Sequence, residues 1–303
     1  MGALAGKRLV IFGCGYVGGA LAAEALAAGA RVEALTRNAA RAEALRRSGV
    51  EVIVAELGAA DWPARIAPGP DFAVDCVSAA AFTPEGYRRS YVDGMRRIVD
   101  WASRGPRPVG TLVYTSSTGV YPQDGGVRVD ESAPTRDAGP TGRVLLEAEE
   151  ILQAAPAAAV ARAFVLRLAG IYGPGRHALL DQLRAGAAVI PGRGGHRLNL
   201  VHRDDVVGAI RACLESPATV ARGTFNVSDG HPATRAEVVA WLAARLGRPA
   251  PRFDEAAASA RRGGAGVPDR VIANDALRRT LGWTPRFPSY REGYAALLDA
   301  TEL

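Results

Sequence analysis

Residues 8 to 26 read RLVIFGCGYVGGALAAEAL: an apolar run, three glycines as G-x-G-x-x-G at Gly13, Gly15 and Gly18, then an Ala/Leu-rich helix former. Few other stretches restrict a fold so strongly. A strand must end in a turn too tight for any side chain at Gly13. A ligand must come close to the backbone at Gly15, and a helix must pack hard on the strand at Gly18. The helix N-terminus, spanning Cys14, Tyr16 and Val17, then offers unpaired N–H groups and the positive end of its dipole to a pyrophosphate. The stretch predicts a βαβ unit that binds a dinucleotide.

The next 150 residues keep that rhythm. Short β-rich runs at 31–36, 51–57, 72–80, 109–117 and 163–170 alternate with helix-like segments at 39–48, 85–103 and 142–155. Strands separated by helices of this length form a parallel sheet covered on both faces. The expected fold class is therefore α/β, a Rossmann-type doubly wound parallel sheet. After Gly170 the texture loosens, with helices returning at 234–247, 274–283 and 289–300. Residues 247–270 read as a long, mobile surface loop. The expected division is a cofactor domain over 1–170, with 197–228 returning to it. A smaller substrate-binding part takes 171–196 and 229–303.

The end of the second strand bears on the choice of cofactor. An acid there would accept from an adenosine ribose 2′-hydroxyl. The chain instead has Thr36, Arg37 and Asn38. Arginine pairs with a phosphate through two parallel charge-assisted hydrogen bonds, so NADP is expected over NAD, with NAD still possible. Ser78, Ala79 and Ala80, at the tip of the fourth strand, are small enough for a ribose and adenine to lie on the backbone.

Composition excludes other classes. The net charge is +6, but the arginines are scattered without blocks or interleaved aromatics, which argues against a nucleic-acid surface and for anionic small molecules. The N-terminal apolar run is too short and too glycine-broken for a membrane span, so no membrane partner is expected. Three widely spaced cysteines suggest a reducing, cytoplasmic setting and offer no metal spacing.

Six segments, FGCGYVGGALA (12–22), LVYTSSTGVYP (112–122), VLRLAGIYGPGR (165–176), LNLVHRDDVVGAI (198–210), GTFNVSDG (223–230) and LGWTPRFPSYREGYAALL (281–298), follow one another in an order that resembles the extended short-chain dehydrogenase/reductases of the NAD-dependent epimerase/dehydratase family. The resemblance implies redox chemistry by a Ser/Thr together with Tyr-x-x-x-Lys, in which the tyrosine is the acid/base and the lysine lowers its pKa. Ser117 matches the Ser/Thr position, and Tyr121 the tyrosine four residues later.

Where Tyr-x-x-x-Lys belongs, the chain reads PTGRVLLEAEE, with Thr141 in place of the tyrosine and Leu145 in place of the lysine. No tyrosine lies between Tyr121 and Tyr172, and Lys7 is the only lysine. A threonine hydroxyl is far too weak an acid to replace a phenol of pKa about 10. This departure is similar to an atypical, YeeZ-like branch that keeps the fold and cofactor site and lacks the pair. The candidates left for chemistry are Ser117, Tyr172 and His177. Thr115 and Ser116 are expected beside the cofactor, and Thr118, Thr141, Arg176 and His202 beside a substrate. Ser117 carries two readings, a donor to a substrate oxygen or a cap on a strand end. His202 also matches a position tying the substrate part to the sheet, and Asp204 and Asp205 read as helix capping. Two functions stay open: an NAD(P)-dependent reductase or dehydrogenase using a non-standard proton relay on a small, anionic or sugar-like substrate, or a non-catalytic NADP-binding sensor or scaffold. The resemblance also implies a homodimer built on the helices near 85–103 and 141–155, with Leu145, Leu146, Ile151 and Leu152 on the second.

Overall fold

The computed structural model describes residues 3–256 and 267–299. The first half runs β1 (Arg8–Phe12), α1 (Tyr16–Ala27), β2 (Arg31–Thr36), α2 (Ala39–Arg47), β3 (Glu51–Val54), β4 (Phe72–Asp75), α3 (Pro84–Tyr87), a π-turn over Arg88–Val92, α4 (Asp93–Ala102), β5 (Val109–Ser117), β6 (Val127–Val129) and α5 (Pro140–Ala154). The second half runs β7 (Val160–Leu168), β8 (Gly170–Tyr172), α6 (Ala178–Arg184), β9 (Val189–Pro191), β10 (Arg197–Leu198), β11 (Leu200–His202), α7 (Arg203–Leu214), β12 (Arg222–Val227), β13 (Ala233–Thr234), α8 (Arg235–Arg245), β14 (Arg252–Asp254), β15 (Arg270–Ile272), α9 (Asp275–Leu281) and α10 (Tyr290–Asp299).

Seven strands form one parallel sheet in the order β12-β7-β5-β4-β1-β2-β3. The chain winds outward from β1 to β3, then crosses back to β4 on the other side of β1. That reversal opens a crevice above the carboxyl ends of β1 and β4, where doubly wound sheets bind ligands. The strands are continuous apolar runs because both faces are covered. One face packs Leu9, Ile11, Val74 and Val113 against α1, α7 and α9. The other packs Val10, Phe12, Ala73 and Leu112 against α4 and α5. On that second face Phe12, Trp62 and Trp101 pack ring to ring at 5.0–5.8 Å, and both indoles donate inward to carbonyls, of Leu57 and Ile66.

A smaller core gathers Leu180, Leu183, Ile190, Val238, Leu242, Tyr290 and Tyr294 from α6, β9, α8 and α10. Two elements of the stretch expected as the C-terminal part reach the first half of the chain. β15 pairs with β6, and Leu277 of α9 joins the large core beside Trp283. Of the stretch expected as irregular over 247–270, residues 252–254 form β14 against β9, and residues 257–266 lie outside the described ones. No helix among the described residues is long and apolar enough to cross a membrane.

Candidate active site

The crevice holds a cleft of about 640 Å³. At its floor Gly13 has φ +82°, and a Cβ there would lie 2.6 Å from the backbone of Val77. A Cβ on Gly18 would stand 2.7 Å from the carbonyl oxygen of Gly13, whereas one on Gly15 would meet open space. The three glycines thus do the separate jobs that the spacing implies: a turn, an open face and a close helix–strand approach. Gly15, Tyr16 and Val17 line the cleft at the head of α1, whose first-turn N–H groups have no partner within the helix. Cys14 turns inward, and burial pushes its thiol up to about 11. This cradle fits a pyrophosphate.

One end of the cleft is formed by the tips of β2, β3 and β4. Thr36 is buried and Arg37 exposed, while Asn38 caps α2 by accepting from the Arg41 N–H at 2.9 Å. Arg37 donates to the carbonyl of Ala79 at 3.4 Å. Ser78 and Ala80 line the cleft, and the N–H groups of Ala79 and Ala80 donate to Tyr91 Oη and Ser90 Oγ at 3.1 and 2.9 Å. Both acceptors sit in the π-turn between α3 and α4. Widening that one turn, a device common at functional sites, brings two hydroxyls to the loop after β4.

The other end is the tip of β5. Thr115 lines the cleft and donates to the carbonyl of Asp75 at 2.9 Å. Ser117 also lines it, with Oγ accepting from the Gly119 N–H at 3.0 Å. Capping is therefore present, yet a capping oxygen keeps its own proton to donate. Ser116 lines the cleft too, but its hydroxyl points down to donate to Glu149 Oε1 at 2.6 Å. Glu149 is held by the Arg167 guanidinium at 2.7 Å, and Arg167 also donates to Tyr121 Oη at 2.9 Å. Tyr121 in turn donates to Asn226 at 2.8 Å. Its phenol is thus committed to a buried network, and burial raises its pKa. Thr141 and Leu145 face the cleft from α5. Thr118 is turned in, with its carbonyl accepting from Arg270.

Two residues expected to act here stand elsewhere. Tyr172 closes β8 and is 3% exposed in the smaller core, stacked 4.7 Å from Tyr294. Burial drives its phenol far above the normal range, and it does not line the cleft. His177 precedes α6 with Nδ1 2.8 Å from Asp181 Oδ1, away from the cleft lining. His202, expected near a substrate, is 2% exposed, caps α7 by accepting from the Asp204 N–H at 3.2 Å and packs 4.2 Å from Phe287. It ties the two cores together instead. The carboxylate of Asp205 accepts from the N–H groups of Arg286 and Phe287, doing the same. Arg176 does line the cleft, with its guanidinium 5.6 Å from the centre of the Tyr16 ring. Tyr16 lies between Arg176 and Arg203, and burial raises its phenol above the usual value despite both cations.

Sequence reading missed Arg89, Glu56 and the Ser90–Tyr91 pair, all on the cleft wall. Arg89 sits in RRSYVDG, where nothing separates a solvated arginine from a binding one. A π-turn has no period that a sequence reveals.

The comparisons agree with this geometry. The model of the NAD dependent epimerase/dehydratase family matches residues 9–228. Protein YeeZ of Escherichia coli (strain K12) is 30% identical to this chain, over 93% of it and 97% of the relative. The 3-diazoavenalumate denitrifying reductase of a Streptomyces species is 31% identical, over 95% and 98%. Among solved structures, MoeE5 in complex with UDP-glucose and NAD superposes with a TM-score of 0.79 at 24% identity, over 97% of this chain and 98% of that one. With its family model spanning the sheet from β1 through β12, the chain belongs to the NAD dependent epimerase/dehydratase family.

Proposed function

We propose that this protein is an NADP(H)-dependent oxidoreductase that acts on a small anionic or sugar-like substrate without a tyrosine–lysine relay. One observation carries the reading. A single cleft runs from Arg37, past the glycine cradle, to Ser117 and Thr141, with Arg176 also on its wall. A nicotinamide dinucleotide bound there supplies or accepts a hydride. Gly15 and the head of α1 would hold its pyrophosphate and Arg37 a 2′-phosphate. Ser117 would donate a hydrogen bond to a substrate oxygen as charge develops on it, and the Thr141 hydroxyl would relay a proton from solvent to that oxygen in reduction, or from it to solvent in oxidation. Arg176 would take an acidic group and so fix the substrate's orientation. The name of the Streptomyces relative supports reductive chemistry on an organic acid, and the UDP-glucose on MoeE5 supports a sugar-like alternative.

The leucine at 145 favours a second reading, a non-catalytic NADP-binding protein, since no cation stands where one would sharpen an acid. NADPH oxidation across a panel of small keto acids and nucleotide sugars, run beside NADPH titration, separates the two. Binding with turnover supports the enzyme, binding without turnover the second reading, and no binding overturns both.

A further inference from the structure

Three arginines line the cleft without an ion-pair partner among the described residues: Arg37, Arg89 and Arg176. Elsewhere Arg8, Arg88, Arg128, Arg167, Arg197 and Arg211 meet carboxylates. Arg176 is beside Tyr16. The other two share the opposite end. Arg37 leaves the tip of β2 and donates to the Ala79 carbonyl, while the Ala79 N–H donates to Tyr91, two residues along the π-turn from Arg89. Arg89 lies against the loop after β3, with its Cγ 3.5 Å from where a Cβ on Gly58 would be. Loop and π-turn therefore form one framework that brings Arg37 and Arg89 to the wall of one cleft.

Both are exposed and line one cleft, and like charges on one wall repel each other, a repulsion that an anion bound between them would remove. The π-turn is part of the device: a regular α-helix through 88–92 would rotate Arg89 relative to the Ser90 and Tyr91 anchors. We infer that Arg89 is a second determinant of cofactor choice, closing with Arg37 on the 2′-phosphate of NADP at the adenosine end of the cleft. This rests on the NADP reading above and extends it to a residue outside the glycine turn and the β2 tip. Glu56 lines the same end, so an anion bound close to it would be repelled, and the phosphate must lie on the arginine side.

The test is calorimetric titration of NADPH, NADH, 2′,5′-ADP and 5′-AMP into the full chain and into Arg37→Ala, Arg89→Ala and Arg89→Lys. Losing a charge-assisted contact to phosphate should weaken NADPH and 2′,5′-ADP by about 10- to 100-fold for each alanine variant and leave NADH and 5′-AMP within about twofold. Arg89→Lys, which keeps the charge and loses the paired geometry, should fall between. If the parent prefers NADPH and Arg37→Ala removes the preference, but Arg89→Ala weakens all four ligands alike or none, the role of Arg89 is overturned and the NADP reading stands. If the parent binds 2′,5′-ADP no better than 5′-AMP, both fall. Unchanged thermal unfolding of the variants establishes that a loss comes from the site.

Discussion

The Ser116 hydroxyl donates to Glu149 Oε1 across 2.6 Å, joining the tip of β5 to the second turn from the end of α5. Glu149 is 5% exposed and its partner Arg167 8%, so each ion depends on the other for solvation. Removing one side should be far worse than removing both. Glu149→Leu should cost about 3–5 kcal/mol of unfolding free energy in urea, whereas Glu149→Leu with Arg167→Met should recover most of the loss. A single variant that costs less than about 1 kcal/mol would show that the pair is solvated in solution.

Stability should fall as pH rises from about 4 to 8. Burial raises Asp229 to about 8, with Asp205 and Glu292 adding repulsion, and burial raises Asp205 to about 6 and Asp75 to about 7. A carboxyl whose folded pKa lies above its unfolded value of about 3.9 binds more protons when folded, so the slope of unfolding free energy with pH is negative in that window. The penalty is absent below the unfolded pKa and complete above the folded one. Asp229 Oδ1 accepts from the His231 N–H at 3.0 Å, a bond an amide oxygen can keep. Asp229→Asn should therefore flatten the slope between pH 6 and 8 and stabilise the protein at pH 8 by roughly a few kcal/mol. An unaltered slope in urea titrations at several pH values would mean that Asp229 is already ionised at neutrality.

Much of this fold was legible because its signals are local. The glycines at 13, 15 and 18 need only a strand before them and a helix after, and the two periods of the first half show both. The place of Arg37 was readable for the same reason, as the residue directly after β2. The failures were of orientation. Tyr172 and His202 lie in motif-like segments, but which way each points is set by α10 and by Phe287, residues 85 or more positions away. The Ser116–Glu149–Arg167–Tyr121–Asn226 network likewise joins residues from three strands, a helix and a loop. No spacing in the chain announces it.

A dimer through α4 and α5 remains the expectation, on a narrower surface than the sequence suggested. Leu145 and Leu152 are 5% and 0% exposed within the chain, which leaves Leu146 and Ile151 half-buried. Arg88 and Arg96 converge on Glu147 and join the π-turn and α4 to α5. Light scattering should give twice the chain mass at micromolar concentration, and Ile151→Arg should halve it without unfolding the protein. A monomeric parent would remove the idea.

The missing relay can be put back. Thr141 and Leu145 stand one turn apart on α5 and both face the cleft near Ser117. Thr141→Tyr with Leu145→Lys would restore a phenol and a cation able to lower its pKa. If the parent binds NADPH without turnover, the double variant should acquire measurable reduction of generic carbonyls. A parent that already turns over should gain little, since its substrate is suited to another proton route. Gain by Thr141→Tyr alone, as large as by the pair, would show that the cation is unnecessary.

Ser117 decides between chemistry and capping. Its Oγ accepts from the Gly119 N–H at 3.0 Å, as a cap should, and still faces the cleft beside Thr141. If it only caps, Ser117→Ala frees one N–H in an exposed turn and costs about 1 kcal/mol or less, with any turnover intact. If it also donates to a substrate oxygen, the same change removes a contact that strengthens as negative charge develops, and the rate should drop by about 10²–10³. NADPH affinity should survive either way, because on the proposed reading Gly15 and Arg37, which follow other strands, would hold the cofactor. Ser117→Thr keeps a hydroxyl on the same carbon and should restore rate and cap together. We expect the large rate loss with near-parental stability. An active parent whose kcat/KM is unmoved by Ser117→Ala would reduce the hydroxyl to a cap, and would leave Thr141 as the residue on the reacting end still to be tested.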